Sequence, residues 1–377
     1  MAKLPELCEI QYGYAFDSAC FTEDNTHLPL VRIRDVKRGY SETFYSGNYP
    51  SDYVIDSGSL LVGMDGEFNI ARWKGGHALL NQRVCKITAK ENVNEEYIRF
   101  ALSKALKEIE NRTAFVTVKH LSAKELNQLE IDVPNYTTQT DIAKVLTQIE
   151  SIISARQQQL QKLDELVKAR FSELFVATDE ASDWPYCTIA DVSNDMRTGP
   201  FGSALHHDEF VDSGVFVLGI DNAVENKFSY NRMRYITAEK YQELKRYTVY
   251  PGDVIITIMG TVGRSAVIPA DMPKAINTKH LACITPNAKM VNAQFLSCAF
   301  QVHPDIRAQL QKQCKGAIMD GLNLTIIKGL SFHIPPINLQ DRFVGFYEQV
   351  DKSKAVVQKA LNEAQLLFDS LMQKYFG

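Results

Sequence analysis

The sequence predicts an α+β protein built by internal duplication: two similar strand-rich domains joined by two long antiparallel coiled-coil helices, with a pseudo-two-fold axis. Three observations predict it. Short strings recur in the same order in the two halves. Strands punctuated by Gly and Pro fill the first part of each copy. Each copy then closes on a proline-free stretch with apolar residues at heptad steps.

The recurrence comes first, because a repeat decides how every later motif is counted. "AFDSA" at 15–19 matches "PFGSA" at 200–204, offset 185, and "PLVRIRDV" at 29–36 sits against "VFVLGIDNA" at 215–223, offset 186. "SGSLLVGMDG" at 57–66 pairs with "PGDVIITIMG" at 251–260, offset 194. "ALLNQRVCKI" at 78–87 resembles "AINTKHLACI" at 275–284, and "VNEEYIRFAL" at 93–102 resembles "VNAQFLSCAF" at 291–300. "VPNYTTQTDIAKVLTQI" at 133–149 returns as "IPPINLQDRFVGFYEQV" at 334–350, offset 201. The offset climbs and never falls, as short loop insertions in one copy require.

Within each copy the strands read as "LPLVRI", "SLLVGM", "RVCKI" and "LEIDV", then "VFVLGI", "DVIITIM", "LACIT" and "LSFHI". A helix near 95–108, or 292–311, lies among them, and Ser122 with Glu125 forms a capping box before the last strand of copy one. Pro134 and Pro335/Pro336 stop the strands, and Thr137 and Asn338 are candidate N-caps of the long helices.

The first helix places Leu146, Ile149, Ile153, Arg156, Leu160, Leu163, Val167, Arg170 and Leu174 at alternating steps of three and four. The second places Tyr347, Val350, Lys354, Val357, Leu361, Ala364, Phe368, Leu371 and Tyr375 likewise, which is a coiled-coil seam. Such a helix is about 57 Å long at roughly 1.5 Å per residue. The expected domains are 1–136, helix 137–176, a polar linker 177–186, 187–337 and helix 338–377. A short linker makes the helices antiparallel and gives a dumbbell. The seam charges Arg156, Arg170 and Lys354 have apolar counterparts Val357, Leu371 and Ile153 at the equivalent positions of the other copy, so they are expected to fix register or to meet a partner.

At 377 residues with 45% hydrophobic and 23% charged residues, the chain has the profile of a soluble two-domain protein. The longest apolar run, "VIITIM" at 254–259, is too short to span a bilayer, so no membrane role is expected. Seven scattered cysteines without a CxxC pair read as reduced thiols of a cytoplasmic protein. Net charge is −4; residues 1–138 hold 16 basic and 19 acidic side chains, and residues 180–339 hold 15 of each. Neither half is a basic domain, so any nucleic-acid binding must rest on local clusters or on a more basic partner.

No GxxxxGK[ST] phosphate loop and no Gly-rich methyl-donor loop are present. "VPNY" and "IPPI" lack the acceptor residue before Pro-Pro that grips a flipped base and are strand stops. "TGPFGSALHHDEF" at 198–210 is either a phosphate cradle or a tight turn. The adjacent His206 and His207 point different ways and make a poor metal pair; no metal is expected. "VRIRDVKRGY" at 31–40 gathers Arg32, Arg34, Lys37 and Arg38. "NRMRYITAEKYQELKRY" at 231–247 gathers Arg232, Arg234, Lys240, Lys245 and Arg246 among tyrosines. Each is either a solvated face or a site for phosphate and base contact, and one occurs in each copy.

"GYAFDSACF" at 13–21, "PLVRIRDV" at 29–36, "DGEFNIARWKGGHALLNQRVCKI" at 65–87, "TGPFGSAL" at 198–205, "IPPINLQDRFVGFYEQVD" at 334–351 and the closing "LFDSLMQKYFG" together resemble the specificity subunit of type I restriction–modification systems. The resemblance spans essentially the whole chain in the order target-recognition domain, spacer helix, target-recognition domain, spacer helix. It implies that two methyltransferase subunits dock on the spacer helices and adjoining segments. It implies that the trimer reads a two-part DNA sequence and methylates adenine N6, and that restriction subunits complete the full complex. It further implies no catalytic residue and no cofactor in this chain, with S-adenosylmethionine held by the methyltransferase subunits and ATP by the restriction subunits. The alternatives are the specificity subunit of a fused type II-like enzyme and a stand-alone DNA methyltransferase.

DNA contacts are then expected in the loops beside the shared framework. In the first domain these are Tyr12, Tyr14, Lys37, Arg38, Glu67, Phe68, Lys74, Lys119 and His120. In the second they are Arg197, Phe201, Ser203, His206, Arg232, Arg234, Thr261, Arg264, Lys279 and His280. Arg and Lys suit guanine or phosphate, and Glu67 suits the cytosine amino group.

Overall fold

A computed structural model describes residues 1–112, 119–201, 204–314 and 322–377. They form two compact units, residues 1–157 with 358–377, and residues 158–357.

In the first unit the strand Leu60–Gly63 is buried at every residue, as a short apolar run covered on both faces must be. It sits third in an antiparallel sheet of order Cys8–Tyr12, Val84–Ala89, Leu60–Gly63, Ile70–Arg72. A second sheet includes the parallel pair Leu28–Val31 and Ala78–Leu80. Ala2–Lys3 pairs with Glu130–Ile131 to close the domain. The sheets pack on the helix Glu95–Arg112, whose Tyr97, Ile98, Leu102 and Leu106 join Leu4, Val62 and Ile87 in the core.

The second unit repeats this plan. Ser193–Thr198, Leu281–Pro286, Val254–Thr257 and Ser265–Val267 form an antiparallel sheet of the same order. Val215–Leu218 runs parallel to Ala275–Asn277, and Tyr186–Thr188 pairs with Ser331–His333. The first strand of the domain thus begins inside the expected linker, whose other residues include the short 3-10 turn Asp179–Asp183. Here the packing helix is broken at His303 into Ala293–Val302 and Pro304–Cys314, because Pro304 has no N–H to continue the first.

The long helices run Tyr136–Phe175 and Ile337–Phe376. All eighteen expected seam positions are buried or half-buried, with mostly exposed residues between them. In the first unit Leu146 meets Met372, with Ile142, Phe368, Leu371 and Phe376 around them, against Phe100 of the domain. In the second unit Phe171 and Phe175 pack on Phe343 and on Phe295 of the domain. Lys354 Nζ lies 2.5 Å from Asp164 on the facing helix, so this seam charge is paired within the second unit. Arg170 pairs with Glu173 one turn along its own helix.

The helix caps differ from expectation. Asn135 Oδ1, not Thr137, accepts from the Thr138 N–H at 2.9 Å, and Asn338 lies inside its helix. Thr137 and Asn338 are each one or two residues too late, because the chain becomes helical directly after the prolines' turn. The Ser122–Glu125 capping box is present. A buried glutamine fixes each helix start. Gln139 accepts from the Asn94 N–H at 2.9 Å and donates to the Pro134 carbonyl at 2.8 Å. Gln340 does the same with the Asn292 N–H and the Pro335 carbonyl, both at 2.8 Å. Among the described residues no helix is long and apolar enough to cross a membrane.

Candidate nucleic-acid interface

Hydrogen bonds of the framework set the register between the domains. Met64 N–H donates to Arg83 O and Leu121 N–H to Met64 O; Ile258 N–H donates to His280 O and Leu322 N–H to Ile258 O. Gly63 N–H meets Asn69 O as Thr257 N–H meets Arg264 O, each at 2.8 Å. Gly66 and Gly260 turn the same hairpin with φ of 71° and 73°, a conformation that glycine adopts without strain. Met64 therefore corresponds to Ile258, Asp65 to Met259, Asn69 to Arg264 and Arg83 to His280.

On this framework the first domain gathers most of its expected contacts into one surface. Lys37, in the helix Ile33–Arg38, lies 3.8 Å from Glu67 on the hairpin loop, and both are exposed. Arg38 pairs with Glu42, also on the surface. Lys74 lays its stem on Gly39, just beyond the helix. Gly66 N–H donates to Lys119 O, and Lys119 Nζ meets Glu110 at 3.1 Å. Asp65 and His120 form a β-bridge and join side chains, with Arg83 beside both. Tyr14 is 41% exposed and its carbonyl accepts from Gln82 N–H, next to Arg83. The exposed pairs Lys37–Glu67 and Arg38–Glu42 contribute about 0–1 kcal/mol each, so exchanging them for phosphates or bases costs little.

Two expected contacts lie elsewhere. Phe68 is buried, because the hairpin loop folds its phenyl ring into the core cluster that includes Leu60, Val62 and Leu121. Tyr12 donates its hydroxyl to Asn127 at 3.0 Å, and burial pushes that hydroxyl's pKa up, as for a packing residue.

In the second domain Thr261 and Arg264 are exposed on the matching hairpin. Lys279 and His280 stand on the turn beside it. His280 is held below its usual pKa, by burial first and then by the positive charges of Lys279 and Arg234. Arg234 reaches Asp221 at 2.7 Å. Arg232 is exposed with φ of 53°. Phe201 is 55% exposed, while Ser203 lies outside the described residues. His206 is exposed at the start of a short 3-10 turn, its N–H donating to Glu209.

Arg197 is displaced from the expected interface: its guanidinium serves the buried Asp253, Asp195, Thr285 and the Thr248 carbonyl, which occupies its donors inside the fold. In the basic–aromatic run 231–247, Lys240 is likewise tied to Glu209 and Glu243, and Tyr241 is buried. Sequence reasoning missed Arg83 and Asp65. A basic residue after Asn81-Gln82 in a tight turn between two strands was the available signal.

A family model for the type I restriction modification DNA specificity domain matches residues 1–165 and again 178–366. The chain is 28% identical over 396 residues to the type I restriction enzyme EcoBI specificity subunit of Escherichia coli, covering 98% of this chain and 83% of that one. It is 19% identical over 221 residues to the type I restriction enzyme MjaVIII specificity subunit of Methanocaldococcus jannaschii, covering 55% and 51%. Among solved structures it shares its fold with the S subunit of a type I restriction–modification system from M. genitalium, at TM-score 0.61 and 15% identity over 100% of this chain and 95% of that one. A chain from a structure describing complex assembly and conformational transition of the type I system gives TM-score 0.56 at 15% identity, over 100% and 96%. With both halves matched, the chain belongs to the type I restriction–modification DNA specificity family and is a DNA-recognition subunit.

Proposed function

We propose that each target-recognition domain reads one half of a bipartite duplex target, and that the spacer helices dock two methyltransferase subunits that methylate adenine N6. The observation that carries this is the repeated loop face: one backbone framework, two different sets of side chains, as reading two different half-sites requires. Charged side chains at these loops hold phosphates or read base edges in the major groove.

The helices support the docking role with apolar side chains left at the surface: Val356 at 71% exposure, Leu366 at 70% and Leu367 at 52%, with Ile152 and Leu166 near half. Large apolar side chains left exposed on a helix, such as the adjacent Leu366 and Leu367, suit protein–protein contact. In this reading the chain is non-catalytic and acts in the cytoplasm. S-adenosylmethionine belongs to the methyltransferase subunits, and ATP to restriction subunits in the full complex.

Co-purification with a co-expressed type I methyltransferase subunit, followed by sequencing of methylated adenines in DNA exposed to the complex, tests the proposal. A two-part motif with a fixed gap is the expected result. Methylation by the purified chain alone, or no co-purification, sinks it. Leu366→Asp is expected to weaken assembly at least tenfold while leaving the fold of the isolated chain intact.

A further inference from the structure

We propose that Arg83 is a specificity-determining residue that reads a guanine in the half-site of the first domain, with Asp65 and His120 as its positioning residues. The inference rests on the proposal that each domain reads one half-site, and it adds which base chemistry one of them takes.

The geometry is that of a buttressed arginine. Arg83 Nε lies 3.6 Å from Asp65 Oδ2, and Nη1 lies 3.2 Å from His120 Nε2. His120 Nδ1 meets Asp65 Oδ1 at 2.5 Å. Nη1 also lies 3.3 Å from His120 Nδ1, so the guanidinium packs against the imidazole ring while the Asp65 carboxylate meets both groups. Among the described residues no partner holds Nη2, so the outer edge of the guanidinium keeps parallel N–H donors. That edge matches the paired O6 and N7 acceptors that guanine alone presents in the major groove. Fixing the planar group beforehand reduces the rotamer freedom lost on binding.

The backbone adds a second, independent observation. Arg83 has φ of 70°, one of few left-handed non-glycine residues among those described. Its carbonyl is pinned by Met64 N–H at 2.8 Å, and Asn81 Oδ1 accepts from Gln82 N–H at 2.9 Å to hold the turn. Left-handed backbone at a bulky residue persists only where its surroundings over-determine it, and it collects at binding sites. With the side chain about half exposed, the strained turn serves to present it.

The second domain lacks this device at the same place. Met259, 39% exposed, replaces Asp65, and His280 replaces Arg83 on a turn without a left-handed residue. The guanine determinant is therefore confined to the first half-site.

The test uses the assembled complex with its methyltransferase subunits, selecting bound or methylated duplexes from a random library at fixed salt. The wild-type complex is expected to require a guanine in the half-site of the first domain. Arg83→Gln should lower discrimination for guanine at that single position by about 5- to 150-fold, or shift it toward adenine, with every other position retained. Asp65→Asn, which keeps the side chain's size but removes its charge and one of its two acceptor oxygens, should relax the same position less. An unchanged motif in both variants overturns the proposal. So does a uniform loss of affinity for all sequences with a salt slope lowered by about 1, which marks a phosphate contact. A wild-type complex that selects no motif instead removes the half-site reading beneath it.

Discussion

The two domains keep the same four-stranded sheet order and the same glutamine clamp, while the side chains on their loop faces and around their buried polar groups diverge. Arg197 and Asp253 form a buried ion pair in the second domain, where strand register puts Gln11 and Ser59 in the first. The helix junctions diverge as well: Phe171 fills in the second unit the place that Met372 fills in the first, offset by 201. Backbone hydrogen bonds and burial hold a duplicated framework together, and the positions free of both duties are the ones that changed.

The largest effect should come from the aromatic junction. Phe171→Ala removes a fully buried ring stacked on Phe295 and edge-on to Phe343 and should cost about 3–5 kcal/mol, read as a lower denaturation midpoint of the second unit. Met372→Ala in the first unit should cost about 2–5 kcal/mol, at the lower end because Met contacts relax. A smaller loss for Phe171→Ala would break the equivalence. Next, Asp253→Ala strands Arg197, the Thr285 hydroxyl and the Tyr250 N–H, and about 3 kcal/mol should be lost. Ser59→Ala at the matching place should stay within about 0.5 kcal/mol in the same unfolding experiment.

The clamp should behave alike in both copies. Gln139→Leu and Gln340→Leu each orphan an Asn N–H and a Pro carbonyl, at about 1–3 kcal/mol per group. Hydrogen exchange at Asn94 and Asn292 should accelerate correspondingly; protection that survives in one variant only would show the clamps to be unequal.

The smallest effect is in pH. His303 is buried among Phe171 and Phe332, and burial first, then His333, hold it below its usual pKa, with Asp305 opposing. The unfolded chain therefore binds a proton more readily, so stability is full above pH ~6.5 and declines as pH falls below it. His303→Phe should flatten that slope in the second unit's denaturation curve between pH 7.5 and 5.5.

The periodicities were legible: heptad steps, strand runs and ordered repeats all follow from which side chains must leave water. What failed to show were features set by tertiary contacts. Nothing local distinguishes Arg197 from Arg264, yet one meets a buried carboxylate 56 residues away and the other faces solvent. Phe68 sits in a loop string that reads as surface until the hairpin folds it onto the core. Arg83 passes for an ordinary strand-end residue because its positive φ is imposed by Met64 and Asn81. Thr137 and Asn338 were misplaced as caps because a proline-led turn starts a helix without waiting for a hydroxyl or amide at the next position.

The division of the chain has a consequence for biosynthesis. Residues 158–357 of the second unit are continuous, so they leave the ribosome as one foldable block. The first unit instead needs residues 358–377, with Phe376 against Tyr97 and Phe368 against Phe100, and these emerge after the second unit. The domain translated first is therefore the one completed last, its partner surface at Leu146 waiting through some two hundred codons of synthesis. A chain released after Val357 should keep the protease resistance of the second unit and lose that of the first.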